Sequence, residues 1–417
     1  MEAITVDPYY TLIIATLVLL VGRLLVRKVK FLQNFNIPEP VAGGLLAALI
    51  IYLLYTASGM SFAFDKGLQT AFMLIFFSSI GLSADFSRLK AGGIGLVIFL
   101  AVVSVFIIVQ NIVGVSLASM MGLDPIIGLV TGSITLVGGH GTAGAWGKVL
   151  EEKYHIIGAT DLGMASATFG LVLGGLIGGP VARKLVNKLG MKPMSEEEQY
   201  QTSHQKDHDT TEDIDNAFEH PEQRRLITAS STIETMALFA GCLSFSALMT
   251  SPQVKAYFPE GFTLPQFVWA LFFGVVIRNL LTAGFKFNMF DRAIDVFGNA
   301  ALSLFLGIAL LNLKLWQLLD LALPMLVILA VQTVVMALYA YFITFRIMGQ
   351  NYDAAVLAAG HCGFGMGATP TAVANMQSIT ERFGPSHKAF LIVPMIGAFF
   401  IDFVNAFILT LFANFLG

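Results

Sequence analysis

Charge is what this sequence has least of. Lys, Arg, Asp and Glu make up 12% of its 417 residues, about half the share of an ordinary soluble domain, which excludes a water-soluble fold with a conventional polar surface. Cysteine is nearly absent. Cys242 and Cys362 stand far apart in apolar or glycine-rich surroundings, which excludes a disulfide framework and a cysteine-built zinc or redox centre. The opening residues Met1 to Tyr10 include Glu2 and Asp7 but no Lys or Arg. The basic start of a cleavable signal peptide is therefore missing, and the first apolar run is expected to remain as a span. Neither HExxH nor GxSxG occurs, so no enzymatic activity is expected. With a formal charge of −3, no nucleic-acid partner is expected either.

What is present is apolar residue in quantity, 56% of the chain, arranged in long runs rather than in the alternating ten-residue segments of an outer-membrane barrel. Such runs predict an all-α membrane protein in contact with a lipid bilayer. Ten spans are expected, near 9–27, 40–57, 68–84, 94–119 and 160–183, then near 227–250, 265–283, 296–312, 320–345 and 388–413. Between the two sets, residues 191–225 hold ten acids and four bases and cannot bury apolar surface. The expected organisation is an N-terminal membrane repeat over 1–190, a polar linker over 191–226 and a C-terminal membrane repeat over 227–417.

Basic residues give the orientation. With the N-terminus outside, fifteen bases outside the linker fall on the inner side, among them Arg23, Arg27, Lys28, Lys30, Arg88 and Lys90. Only Lys66, Lys148, Lys153, Lys255 and Lys314 fall on the outer side. Both termini are therefore expected in the periplasm and the linker in the cytoplasm, in a multi-pass inner-membrane protein.

The two halves share a pattern. Met121–Trp146 and Met348–Asn375 both open with Met-Gly, carry an Asp shortly after, and close with G-x-x-x-T-A-x-A, at Gly138, Thr142, Ala143 and Ala145 and at Gly367, Thr371, Ala372 and Ala374. Each follows a span containing Val-Gln, at Gln110 and Gln332. Because five spans is an odd number, the second copy must be upside down relative to the first, giving two inverted repeats. Backbone that leaves a helix inside a bilayer needs internal partners or a wet cavity. The two glycine-rich segments therefore read as re-entrant hairpins, although small residues also serve simply to let helices pack closely.

On this reading the candidate substrate-binding residues are Ser133, Thr135, Gly138, Gly139, His140, Gly141 and Thr142 in the first segment. In the second they are His361, Gly363, Gly365, Gly367, Ala368, Thr369, Thr371 and Asn375. Asp402 and Asn405 lie one turn apart on the tenth span, where a carboxylate and an amide oxygen suit a hard cation. With Asn111, Gln332 and Thr333 in mid-span, they form the candidate sodium set. Asn111 and Thr333 fit pairing with the neighbouring hairpin as well as ligand contact. His140 and His361 either titrate or donate hydrogen bonds to hairpin backbone. Arg278, near a span end, is expected to snorkel, and Asp161 to be solvated.

The segments IPEPVAGGLL (37–46), GSITLVGGHGTAGAW (132–146), TFGLVLGGLIGGPVAR (168–183), NYDAAVLAAGHCGFGMGATPTAVANMQSITERFGPSH (351–387) and PMIGAFFIDFVNA (394–406) resemble the bacterial sodium/glutamate symporter family. The resemblance covers the whole chain outside the acidic linker. It implies uptake of L-glutamate driven by sodium as coupling ion, with the two hairpins forming the translocation site. A carrier of another small carboxylate such as citrate, or a passive channel, are the rival readings. Analogy with other two-hairpin transporters gives an elevator-type expectation. The third to fifth and eighth to tenth spans move with the hairpins, and the first two spans of each repeat form a scaffold and the contact of a homodimer.

Overall fold

The computed structural model describes residues 4–34, 37–86, 93–191, 228–257, 264–287, 289–314 and 321–416. The acidic linker beyond Met191, and Arg88 and Lys90, lie outside them. Helices stand at all ten expected positions. In chain order they are α1 (Pro8–Lys28), α2 (Glu39–Ser58), α3 (Lys66–Ser83) and α4 (Gly93–Met120), then α5 (Gly139–Lys153) and α6 (Ala159–Lys188). The second half contributes α7 (Ala229–Met249), α8 (Gln266–Asn279), α9 (Asp291–Leu311) and α10 (Ala322–Tyr339), then α11 (Tyr352–Phe364) and α12 (Thr369–Phe383). It ends with α13 (His387–Met395) and α14 (Ile401–Leu416), joined by a wider turn over Ile396–Phe400. Among the described residues, eight helices are long and apolar enough to cross a membrane. The chain is thus a multi-pass helical membrane protein.

Local chemistry sets the ends of these helices. Asp7 accepts the N–H groups of Tyr9 and Tyr10 ahead of Pro8, while Arg27 and Lys28 occupy the last turn of α1, each satisfying one end of the helix dipole. Thr228 and Ser231 form a reciprocal cap on α7. Two extended residues, β1 (Ile4–Thr5), pair in parallel with β2 (Phe62–Ala63), and Asn312 Oδ1 accepts the N–H of Phe64 at 2.9 Å.

The helices pack in two groups. The first holds α1, α2, α3, α7, α8 and α9, in which α3 lies against both α8 and α9, and α9 lies against α2 and α1. The second holds α4, α6, α10, α13 and α14 together with the shorter α5, α11 and α12. A continuous apolar core runs through this second group from Phe99 and Phe106 to Met376 and Val393. Another core, with Phe77, Leu271, Phe305 and Trp146, joins α5 to the first group.

Three expectations change. Asp161, expected to be solvated, is only 5% exposed and accepts the Lys314 backbone N–H at 3.0 Å. The third and eighth spans, expected on the side of the hairpins, pack here among the first group. The reason is backbone contact: a Cβ added at Gly81 of α3 would lie 2.1 Å from the Leu271 carbonyl of α8. Arg278 does not snorkel. Only 4% exposed, it donates to Asp85 at 3.1 Å, to Asp291 and to the Leu82 carbonyl, because a buried guanidinium needs paired acceptors.

Candidate functional site

Between α4 and α5 the chain makes a helical turn, Ile127–Leu129, and then a wider one, Val130–Ile134. Gly132 interrupts that turn with φ −107° and ψ −134°. The break frees the Ser133 N–H, while the Ser133 carbonyl accepts the Gly138 N–H at 3.0 Å, and two side-chain amides bind these peptide groups as well. Asn111 Oδ1 on α4 accepts the Ser133 N–H at 3.0 Å, and Asn405 Nδ2 on α14 donates to the Ser133 carbonyl at 2.9 Å. Thr135 stays within its own segment, its hydroxyl donating to the Val130 carbonyl at 2.7 Å.

Three polar atoms at this break are buried without a partner, namely Asn111 Nδ2, Asn405 Oδ1 and Ser133 Oγ. Leaving such groups unmade costs about 1–3 kcal/mol each, so their concentration at one backbone break marks a place with spare hydrogen-bonding capacity, two oxygens and one N–H donor. One turn before Asn405, the part-buried Asp402 makes no hydrogen bond among the described residues. Thr333 stands apart from this cluster: its hydroxyl donates to the Leu329 carbonyl of its own helix at 2.7 Å.

The ends of the two glycine-rich segments meet. Gly139 has φ +61°, and a Cβ there would lie 3.5 Å from the Gly367 carbonyl. Gly138 precedes α5, while Ala368, extended at φ −157°, precedes α12. The second tip is held from α4, since Gln110 Nε2 donates to the Gly365 carbonyl at 3.1 Å, and Gln332 Nε2 donates in turn to the Gln110 carbonyl at 2.7 Å. Beside the first tip, the Thr168 hydroxyl donates to the Met164 carbonyl at 2.9 Å, which leaves it to accept from His140 Nε2 at 2.9 Å. Gly141 faces Phe76 of α3, to whose Cε1 a Cβ would come within 2.7 Å.

The second segment is an intact helical hairpin with little slack. Gly363 and Ala372 bring α11 and α12 into backbone contact, a Cβ at Gly363 lying 2.3 Å from the Ala372 Cα. Asn375 Nδ2 donates to the Gly174 carbonyl at 2.9 Å, Thr369 Oγ1 lies against Gly397, and Thr371 Oγ1 is buried without a partner. His361 is fully buried among the rings of Phe99, Phe106, Tyr339 and Phe364, with Nδ1 on the Thr344 hydroxyl at 2.9 Å. Gly170 and Gly174 of α6 receive this tip, and a Cβ at Gly170 would sit 2.3 Å from the Met366 carbonyl.

The structure therefore brings Asn111, Ser133 and Asn405 to one point and Gly139 and Gly367 to another. It sets Thr333 and His361 into other surroundings. Within the shared motif, Thr142, Ala143, Thr371 and Ala372 are all buried, Ala143 against Gly163 and Ala372 against Gly363. Sequence reasoning assigned no site role to Gln110 or Thr168. The matched Val-Gln pair signalled the first, whereas nothing in the local sequence marked the second.

Helices of membrane-spanning length that surround two glycine-rich segments, with buried polar groups left unsatisfied beside them, have the architecture of a membrane carrier. The comparisons name the kind. The sodium/glutamate symporter family model matches residues 4–385, and the chain belongs to that family. It is 51% identical over 407 residues to the sodium/glutamate symporter of Haemophilus influenzae, covering 97% of this chain and 96% of that one. Against the sodium/glutamate symporter of Escherichia coli K12 it is 54% identical over 413 residues, covering 97% of each. These relatives are named as transporters, not enzymes. Among solved structures, a sodium proton antiporter from Methanocaldococcus jannaschii aligns over 97% of both chains with a TM-score of 0.42 and 14% identity.

Proposed function

We propose that this protein takes up L-glutamate by symport with sodium, and that the two hairpins form the translocation site. The observation that carries this reading is the meeting of the two segments at Gly139 and Gly367 beside the polar break at Ser133. Sodium is the coupling ion and is carried as a substrate. Asn405 Oδ1, Ser133 Oγ and the Asp402 carboxylate are its ligand candidates, all hard oxygens suited to a small cation. Freed N–H groups and hydroxyls near the tips, including Thr371, receive the substrate carboxylates. Thr333 plays no direct part.

Two features support the inverted repeat. The packing pairs survive exchange of the halves: α3 on α8 corresponds to α9 on α2, and α1 on α2 to α7 on α8. The shared motif also begins at the tip in both copies. The helices α5 and α11, of 15 and 13 residues, extend only about 22 and 20 Å, short of the roughly 30 Å hydrocarbon layer, which suits re-entrant hairpins. In this reading the second helix group moves against the first in an elevator-type cycle. The exposed apolar faces of α1 and α2 contact lipid or a second copy, the linker is cytoplasmic, and both termini are periplasmic.

The test is uptake of labelled glutamate into proteoliposomes under an imposed sodium gradient. Accumulation that requires inward sodium, and that citrate fails to inhibit, is expected. Equal uptake from choline and sodium buffers would refute symport.

A further inference from the structure

A cleft of about 1230 Å³ opens where the end of α2 and the start of α3 face the end of α5, the start of α6 and the residues after α9. Its charged lining comprises Lys66, Lys148, Lys314, Glu151, Glu152 and Asp161. The carboxylates there are engaged. Asp161 is only 5% exposed and accepts the Lys314 backbone N–H at 3.0 Å, and Glu151 accepts the Thr160 N–H at 2.9 Å. Both are held at the first turn of α6, where the helix dipole favours negative charge. Glu152 lies 4.0 Å from Lys148, whose ammonium donates to Thr70 at 2.6 Å. Among the described residues, the side chains of Lys66 and Lys314 make no hydrogen bond or ion pair. The Lys66 ammonium is thus left to face the cleft without a hydrogen-bonded counter-charge, and that of Lys314 is opposed only at longer range, by the Asp161 carboxylate.

We infer that this cleft is an outer docking site where an acidic amino acid is held by Lys66 and Lys314 before it reaches the hairpin tips. The inference rests on the symport reading and on its orientation, in which Lys66, Lys148 and Lys314 all lie outside. The volume exceeds the roughly 300–1,000 Å³ of a fitted small-molecule pocket, so the anion is received with part of its hydration and bound weakly. Charges on low-dielectric walls raise local substrate concentration and arrival rate rather than final affinity. Along α5, Lys148 lies nine residues, about 13 Å, from Gly139, so the cleft opens above the first tip.

The double variant Lys66→Gln with Lys314→Gln, reconstituted in proteoliposomes and assayed with labelled glutamate at saturating sodium, tests it. The expected result is a KM about three- to tenfold higher with kcat unchanged, within the range of electrostatic steering. Raising ionic strength with choline chloride at fixed sodium should raise the wild-type KM and leave the variant's KM nearly flat. A double Arg variant should keep the wild-type KM. An unchanged KM with unchanged ionic-strength response, a loss confined to kcat, or equal damage by Gln and Arg would overturn the docking site while leaving symport intact. Wild-type protein that fails to accumulate glutamate on a sodium gradient would overturn the symport reading, and this one with it.

Discussion

The two glycine-rich segments share a motif and a place in their halves, yet they are built for different ends. The first is broken at Gly132, and the peptide groups of Ser133 are bound by Asn111 and Asn405, from helices of opposite halves, with three buried polar atoms left over. The second keeps α11 whole, presses it onto α12 and α6 through glycines, and seats His361 among aromatic rings. The difference teaches that sequence repetition preserves position while chemistry diverges. The first copy concentrates its spare polar atoms at a backbone break, whereas the second fixes a frame and keeps the Thr371 hydroxyl unpartnered near its tip.

Substitutions can break or sharpen this contrast. The largest effect is expected from Gly170→Leu on α6, which receives the tip of the packing copy, because there is no room beside the Met366 carbonyl. Overpacking of this kind in a tight core costs about 1–3 kcal/mol or more, and the variant should lose its monodisperse peak in size-exclusion chromatography. Intact, active Gly170→Leu protein would show that the frame is looser than drawn.

Next comes Asn405→Leu on α14, which bonds the first segment at its break. It removes the amide bond to the Ser133 carbonyl and one ligand candidate, so at least a tenfold rise in half-saturating sodium is expected while the protein still assembles. Asp402→Asn, which removes charge and keeps shape, should raise half-saturating sodium several-fold. Unaltered sodium dependence in both would move the cation site elsewhere.

Gln110→Leu should act in between. Loss of its bond to the Gly365 carbonyl costs about 1–3 kcal/mol, read as a lower thermal midpoint with half-saturating sodium unchanged. The smallest effect is assigned to Thr333→Val, since that hydroxyl bonds only within its own helix. Sodium titrations of this variant should overlay those of the parent, and a clear shift would restore Thr333 to the cation set.

Much of this was legible in sequence because it depends on local runs. The first span, expected at 9–27, is Pro8–Lys28, and the ninth, expected at 320–345, is Ala322–Ile347, since apolar length alone specifies a crossing helix. The paired motif likewise located both tips. What could not be read were contacts between distant positions. Gln110 meets Gly365 across 255 residues, and Asn405 meets Ser133 across 272. Nor does local pattern reveal that the guanidinium of Arg278 turns inward, or that α3 and α9 share the first group, because both follow from partners contributed by the other half. Gly132 was one glycine among many until its dihedrals set it apart.

The buried Arg278 has a further consequence, in the order of synthesis. Asp85 and Arg278 are separated by 193 residues, so at about 5–20 residues per second the ribosome delivers the cation roughly 10–40 s after the anion. During that interval the first half carries the Asp85 carboxylate without the guanidinium it meets in the finished protein. A chain stopped before α8 lacks this pair and should be degraded faster than full-length protein in a pulse–chase experiment.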